Sequence, residues 1–214
     1  MKNKIILLSF LVIAAFCSCN KDTFHNTADK VGISKVTHYV VLKLKGEGIV
    51  SVVAGGSFTD PGADATENGA TAQYSTSGSV DVNTPGLYIL TYSAVNKDGF
   101  SSSVSRTVVV IAGHENPGVD ISGSYAYVGS STYTSTVTKV AEGVYTTDNC
   151  WSGATVIPCI FVCLDGANIT MPSQATAFGE LSGTGTLDVT GHLIYVVSIP
   201  AQGINNSSRN WQKQ

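Results

Sequence analysis

The chain has 214 residues, 12 Lys and Arg against 15 Asp and Glu, a formal charge of −3, and only 13% charged residues. Removing Lys2 and Lys4 with a leader leaves 10 basic against 15 acidic residues, about −5, and no basic run remains. Phosphate binding needs clustered Lys and Arg, so nucleic acid is excluded as a partner. The abundance of Val, Thr, Tyr, Gly and Ser favours short strands over helices, and the length suits one large or two small domains.

Residues 1–18 are predicted to be a lipoprotein signal peptide. A basic start precedes an apolar core from Ile5 to Phe16, too short for a spanning helix of about 20 residues. A simple secretory signal is the plainer reading. Cys19 has Phe16 at −3 and the small Ser18 at −1, whereas Cys17 would place the bulky Phe16 at −1. Cys19 is therefore the expected lipid-attachment residue, and the membrane is the first expected partner, reached through the lipid anchor. The following Asn20, Lys21 and Asp22 resemble the short charged segments after the lipidated Cys in surface lipoproteins of Bacteroides and relatives. That resemblance implies an outer-membrane protein facing the cell exterior. Residues 19–34 read as a polar tether.

Residues 35–112 are predicted to be a β-sandwich, with strands at 39–45, 49–53, 71–75, 78–82, 87–94 and 103–111. Asp60-Pro61-Gly62, Asn83 to Gly86 and Lys97-Asp98-Gly99 supply turns. Tyr88, Leu90, Tyr92 and Ala94 share one face of their strand and are expected to face the core. The runs Gly56 to Ala65, Gly78 to Tyr88 and Leu90 to Gly99 resemble the bacterial immunoglobulin-like domain first described in pesticidal crystal proteins. The resemblance covers most of residues 45–111 and implies a spacer or adhesion module. Asp60, Asp64, Glu67 and Asp98 could offer oxygen ligands to Ca²⁺, but ordinary turn chemistry accounts for acidic residues so dispersed.

Residues 113–119 read as a linker. Residues 120–199 are predicted to be a second antiparallel β domain, closed as a small barrel or packed as a curved sheet. The fold class is thus all-β. Gly123-Ser-Tyr125, Gly143 to Asp148 with Trp151, Asp165 to Thr170 and Gly183 to Val189 resemble the C-terminal domains of Bacteroides two-domain lipoproteins of unknown function. That likeness carries no activity. Residues 200–214 read as a flexible tail, with Trp211 lacking a core to join.

Catalytic and metal constellations are not legible. His25, His38, His114 and His192 have no ligand spacing, and nothing calls for a cofactor. Asp148 with Asp165 or Asp188 could form a glycosidase pair only if the fold brought them together. The expected protein is therefore not an enzyme. It is a glycan- or partner-binding accessory protein in nutrient capture, with polysaccharide or another surface protein as ligand. The alternative is a structural, adhesion or assembly subunit working through its Ig-like domain. Trp151, Tyr125 and Tyr145 are the candidate sugar-stacking residues, Trp151 first because it lies in a loop-like segment. Cys150, Cys159 and Cys163 are either small buried apolar residues or one disulfide plus a thiol. If a pair forms it is Cys150 with Cys159, since Cys159 and Cys163 are too far apart along one strand.

Overall fold

The computed structural model describes residues 30–31 and 34–214. The signal peptide, Cys19 and most of the tether lie outside them. In the described part of the tether, β1 (Lys30–Val31) pairs antiparallel with β2 (Ser34–Lys35). Residues 39–214 form one compact unit, a β-sandwich joined to a β-barrel. Among the described residues the single helix is a 3₁₀ turn, and no helix is long and apolar enough to cross a membrane.

The sandwich contains β3 (Val40–Leu44), β4 (Ile49–Val53), β5 (Ala63–Glu67), β6 (Ala70–Thr71), β7 (Ser75–Ser77), β8 (Gly86–Val95) and β9 (Ser101–Ile111). One sheet runs β3-β5-β6 and the other β4-β9-β8-β7, with β4 parallel to β9. Leu90, Tyr92 and Ala94 face inward as their alternation requires. Two expectations are corrected. Residues 78–82 form no strand, and Ala63–Glu67, which is not among the expected strands, pairs with β3 along its whole length. Its small Ala63 and Ala65 are buried, and they hold the two sheets close without an apolar run to advertise them.

The sandwich core is closed by a cation. Arg106 stands opposite Leu90 and is almost wholly buried. Its guanidinium donates to the carbonyls of Glu47 (2.6 Å), Lys45 (2.7 Å) and Gly62 (3.2 Å), while Nε reaches Tyr92 Oη at 3.4 Å. The Asp60 carboxylate accepts from Tyr92 Oη and lies 3.6 Å from Arg106 Nε. The guanidinium thereby ties the loop carbonyls of Lys45 and Glu47 to that of Gly62, which also accepts from Lys45 N at 3.0 Å.

The barrel is an antiparallel meander of eight strands: β10 (Gly123–Tyr127), β11 (Ser130–Ala141), β12 (Val144–Thr147), β13 (Cys159–Cys163), β14 (Asn168–Thr176), β15 (Gly179–Leu187), β16 (His192–Ile199) and β17 (Ile204–Lys213). β17 pairs with both β16 and β10, so the sheet closes on itself. This corrects the flexible tail. Residues 204–213 are the closing strand, and Trp211 is fully buried in the barrel core, edge-on to Tyr127 at 5.1 Å. Asn, Ser and Gln fill its outward positions, which hides the strand from hydropathy. Backbone pairing on both sides outweighs their weak strand preference.

The interior is packed by Tyr125, Tyr145, Phe161, Tyr195 and Trp211 together with Ile, Leu, Val and Met. Gly183 and Gly185 lie mid-strand in β15. A Cβ on Gly185 would meet Tyr195 Cδ1 at 3.2 Å, and one on Gly183 would collide with the Val196 carbonyl at 2.3 Å. The missing side chains make room for the ring and for close strand approach, the alternation of small and large that a small barrel needs. Across the gap where β14 bulges, the Gln174 amide accepts from Ile160 N (2.8 Å) and donates to Ile160 O (2.7 Å). The side chain stands in for a missing rung of the ladder.

Sandwich and barrel share an apolar seam. Val109 and Ile111 bury Val144, with Val140, Ile160, Val162 and Leu164 packed around them. Segment 113–119 is pinned along the seam. Asn116 N donates to Leu164 O (2.7 Å), and Lys139 Nζ meets Glu115 Oε2 at 2.6 Å.

Candidate functional site

Strand direction divides the barrel loops into two groups. The turns at 141–144, 163–168 and 187–192 lie at the end that meets the sandwich. The hairpin 127–130, the loop 148–158, the turn 176–179 and the 3₁₀ turn Pro200–Gln202 lie at the distal end. The expected sugar-stacking residues are distributed across this frame.

Tyr125 and Tyr145 are fully buried core residues, which removes them from any ligand surface. Both occupy inward positions of their strands. Tyr125 Oη donates to the Ile121 carbonyl at 2.7 Å, and burial pushes its phenol up to about 12. Tyr145 stacks on Phe161 at 5.7 Å and donates to Glu115 Oε1; burial, then that carboxylate, raises its phenol further. Their place within strands, not loops, was the available signal for a packing role.

Trp151 does lie in the distal loop, half-buried, but one ring face is taken. The Arg209 guanidinium stacks over it at 3.5 Å. The indole packs against the barrel core, and the loop is fixed by Asn149, whose Oδ1 accepts from Trp151 N (3.0 Å) and whose Nδ2 donates to Ser152 O (2.9 Å). Gly153 lies against the Tyr133 ring, so close that a Cβ would overlap it. Trp151 is thus built as a plug for the distal end.

The three thiols are buried and free, Cys150 and Cys159 beside each other and Cys163 apart. The carboxylates named for hydrolysis are not brought to one place. Asp148 caps the distal end by accepting from Thr136 N at 2.7 Å, whereas Asp165 and Asp188 sit in sandwich-side turns. Among the described residues no group of three or more His, Cys, Asp or Glu converges as a metal site would require. Asp60 is engaged by Tyr92 and Arg106, Asp64 by Lys45 at 3.1 Å, and Glu67 by the amide of Lys97.

Sequence reasoning missed a cleft of about 540 Å³ where sandwich meets barrel. Its size falls in the range of small-ligand sites. The floor is apolar: Leu87 from β8, Val110 and Ile111 from β9, Val162 from β13 and Leu164 just after it. The rim is polar: Asp165, Asn168, Thr170 and Ser173, with the Tyr88 ring at one side. Asp165 is held ionised, near 2, by the Asn168 side chain (2.6 Å) and by the backbone amides of Asn168 and Ala167. The floor comes from two domains 50 residues or more apart in sequence, so no local motif could reveal it.

Residues 42–110 match the family model of the bacterial surface protein Ig-like domain. No curated protein matches the chain. Among solved structures, a lipoprotein from Bacteroides thetaiotaomicron is similar at 24% identity and a TM-score of 0.41, over 82% of this chain and 100% of that one. The M60 catalytic domain with the CBM51-1 and CBM51-2 domains of Clostridium perfringens ZmpB is similar at 14% identity and a TM-score of 0.33, over 76% of this chain and 14% of that one. Likeness at these scores carries no argument about function.

Proposed function

We propose that this chain, with its Ig-like domain of bacterial surface type, is a non-catalytic cell-surface lipoprotein that holds a glycan in the cleft between sandwich and barrel. The cleft carries the reading: an apolar floor suits the C–H faces of a sugar ring, and the carboxylate, amide and hydroxyls of the rim suit its hydroxyl groups. Lipid attachment at Cys19 would hold the cleft outside the outer membrane, facing the exterior. The separation of Asp148 from Asp165 and Asp188 favours binding over hydrolysis.

Titration calorimetry against a panel of soluble polysaccharides tests the site. Binding is expected in the wild type, a loss of about tenfold or more in Thr170→Arg, and no change in Trp151→Ala. A wild type that binds none of the panel, or a Thr170→Arg that binds as well, overturns it. The anchor is tested separately by metabolic fatty-acid labelling, which Cys19→Ala should abolish.

A second reading, an adhesion or assembly subunit, is favoured by one observation. Tyr39 and Phe100 expose 56% and 47% of their surface on the Ig-like domain with ring centroids 5.5 Å apart. Exposed paired aromatics suit a protein interface. Cross-linking on intact cells that Tyr39→Ser and Phe100→Ser abolish would favour this reading.

A further inference from the structure

We propose that Cys150 and Cys159 are the two halves of a structural disulfide that staples loop 148–158 across the distal end of the barrel, leaving Cys163 as a thiol. The ladder brings them together. Thr147 stands directly opposite Cys159, and beyond the last rung Cys150 N donates to the Ile157 carbonyl at 2.8 Å. The chain thus leaves β12 and returns to β13 with residues 150 and 159 flanking one closed loop. Both side chains are buried in the barrel core, near enough that the Cys150 thiol raises the Cys159 thiol above its ordinary value. Cys163 shares the inward face of β13, but four residues of strand set it roughly 13 Å further along. It belongs to the sandwich-side end.

The loop gives such a bond a purpose. It contains Gly153 and two Ser or Thr hydroxyl side chains, forms no strand, and covers the core beneath Trp151. A cross-link between its two ends would hold the lid while leaving the barrel ladder untouched. Export to the cell envelope supplies the setting in which disulfides persist.

The oxidant is a dithiol–disulfide oxidoreductase of the envelope. One cysteine thiolate attacks the enzyme disulfide to give a mixed disulfide. The second displaces the enzyme sulfur, forming the Cys150–Cys159 bond and leaving the enzyme as a dithiol, so two electrons and two protons pass to it. Exchange precedes closure of the barrel. In the folded protein both sulfurs are buried, and the neighbouring thiol and burial together raise Cys159 well above the ordinary thiol value. The same burial later shields the bond from reductants.

Peptide mapping decides the matter. Full-length protein is isolated from the cell envelope, acid-trapped, alkylated under denaturing conditions without reductant, and cut with chymotrypsin. No Lys or Arg separates the three cysteines, but cleavage after Trp151, Phe161 and Leu164 does. Expected is one species joining peptides 146–151 and 152–161, two hydrogens lighter than their sum, with Cys163 alkylated. Alkylation of all three thiols, or a cross-link to Cys163, overturns the proposal. Melting gives a second readout. Reductant applied in denaturant and kept through refolding should lower the wild-type midpoint by roughly 5 °C or more and leave Cys150→Ser/Cys159→Ser unmoved. A wild type indifferent to reductant also overturns it.

Discussion

Tyr145 Oη donates a 2.8 Å hydrogen bond to Glu115 Oε1, joining a side chain rooted in the barrel interior to the segment that leads out of the sandwich. The second carboxylate oxygen takes Lys139 Nζ at 2.6 Å, with Glu115 almost wholly buried. A stretch that composition marks as a spacer is therefore a clasp. Its one buried side chain, Glu115, is bound by the barrel instead of by water.

Breaking the clasp should destabilise the sandwich–barrel unit. Tyr145→Phe leaves a buried carboxylate oxygen short of a donor and should cost about 1–3 kcal/mol. Glu115→Ala also takes the carboxylate from Lys139, leaving it the Val119 carbonyl at 2.8 Å. A double-mutant cycle in urea denaturation should show coupling between Tyr145 and Glu115, and strictly additive losses would sink the claim.

Arg106 should be among the most sensitive positions of the sandwich. Arg106→Ala removes the side-chain donor from the Lys45 and Glu47 carbonyls, leaves Asp60 without its cation, and should cost about 3–5 kcal/mol. Arg106→Lys cannot reproduce the fork and should recover only part of that loss. Circular dichroism melts of both variants measure the order. A lysine variant as stable as the wild type would contradict it.

The last strand should be indispensable. Trp211→Ala should cost about 3–5 kcal/mol, and a chain ended after Gln202 should fail to close the barrel. Proteolysis should then degrade residues 120–202 while the wild type resists. This is where the sequence was least legible. The alternation of β8 announced its buried face because apolar and polar residues take turns there, and the sandwich boundaries followed from Gly and Pro turns. β17 offers Ile204, Trp211 and a run of Asn and Ser, since its inward side needs few large groups beside Tyr195 and Leu193. The cleft was invisible for another reason: its floor is assembled from β8, β9 and β13, and no single segment carries its pattern.

Asp165 gives the cleft an acid limb. Its folded value, about 2, lies below the unfolded value near 3.9, so its ionised form stabilises the fold at neutral pH. That contribution is complete above about pH 4 and is lost as pH falls toward 2. Asn168→Ala removes the leading cause and should move the Asp165 titration upward in a carbon-13 NMR pH series. An unmoved titration would contradict the assignment.

The barrel begins and ends on neighbouring strands, and Gln214 N donates to Ser124 O at 2.9 Å. The carboxy-terminus therefore emerges at the waist of the molecule, beside the sandwich. Four loops alone make up its outermost face. An epitope tag appended after Gln214 would sit at the sandwich-side end of the barrel, on the strands farthest around the sheet from the cleft-lining β13 and β14, whereas one inserted between Val128 and Ser130 would stand at the opposite end.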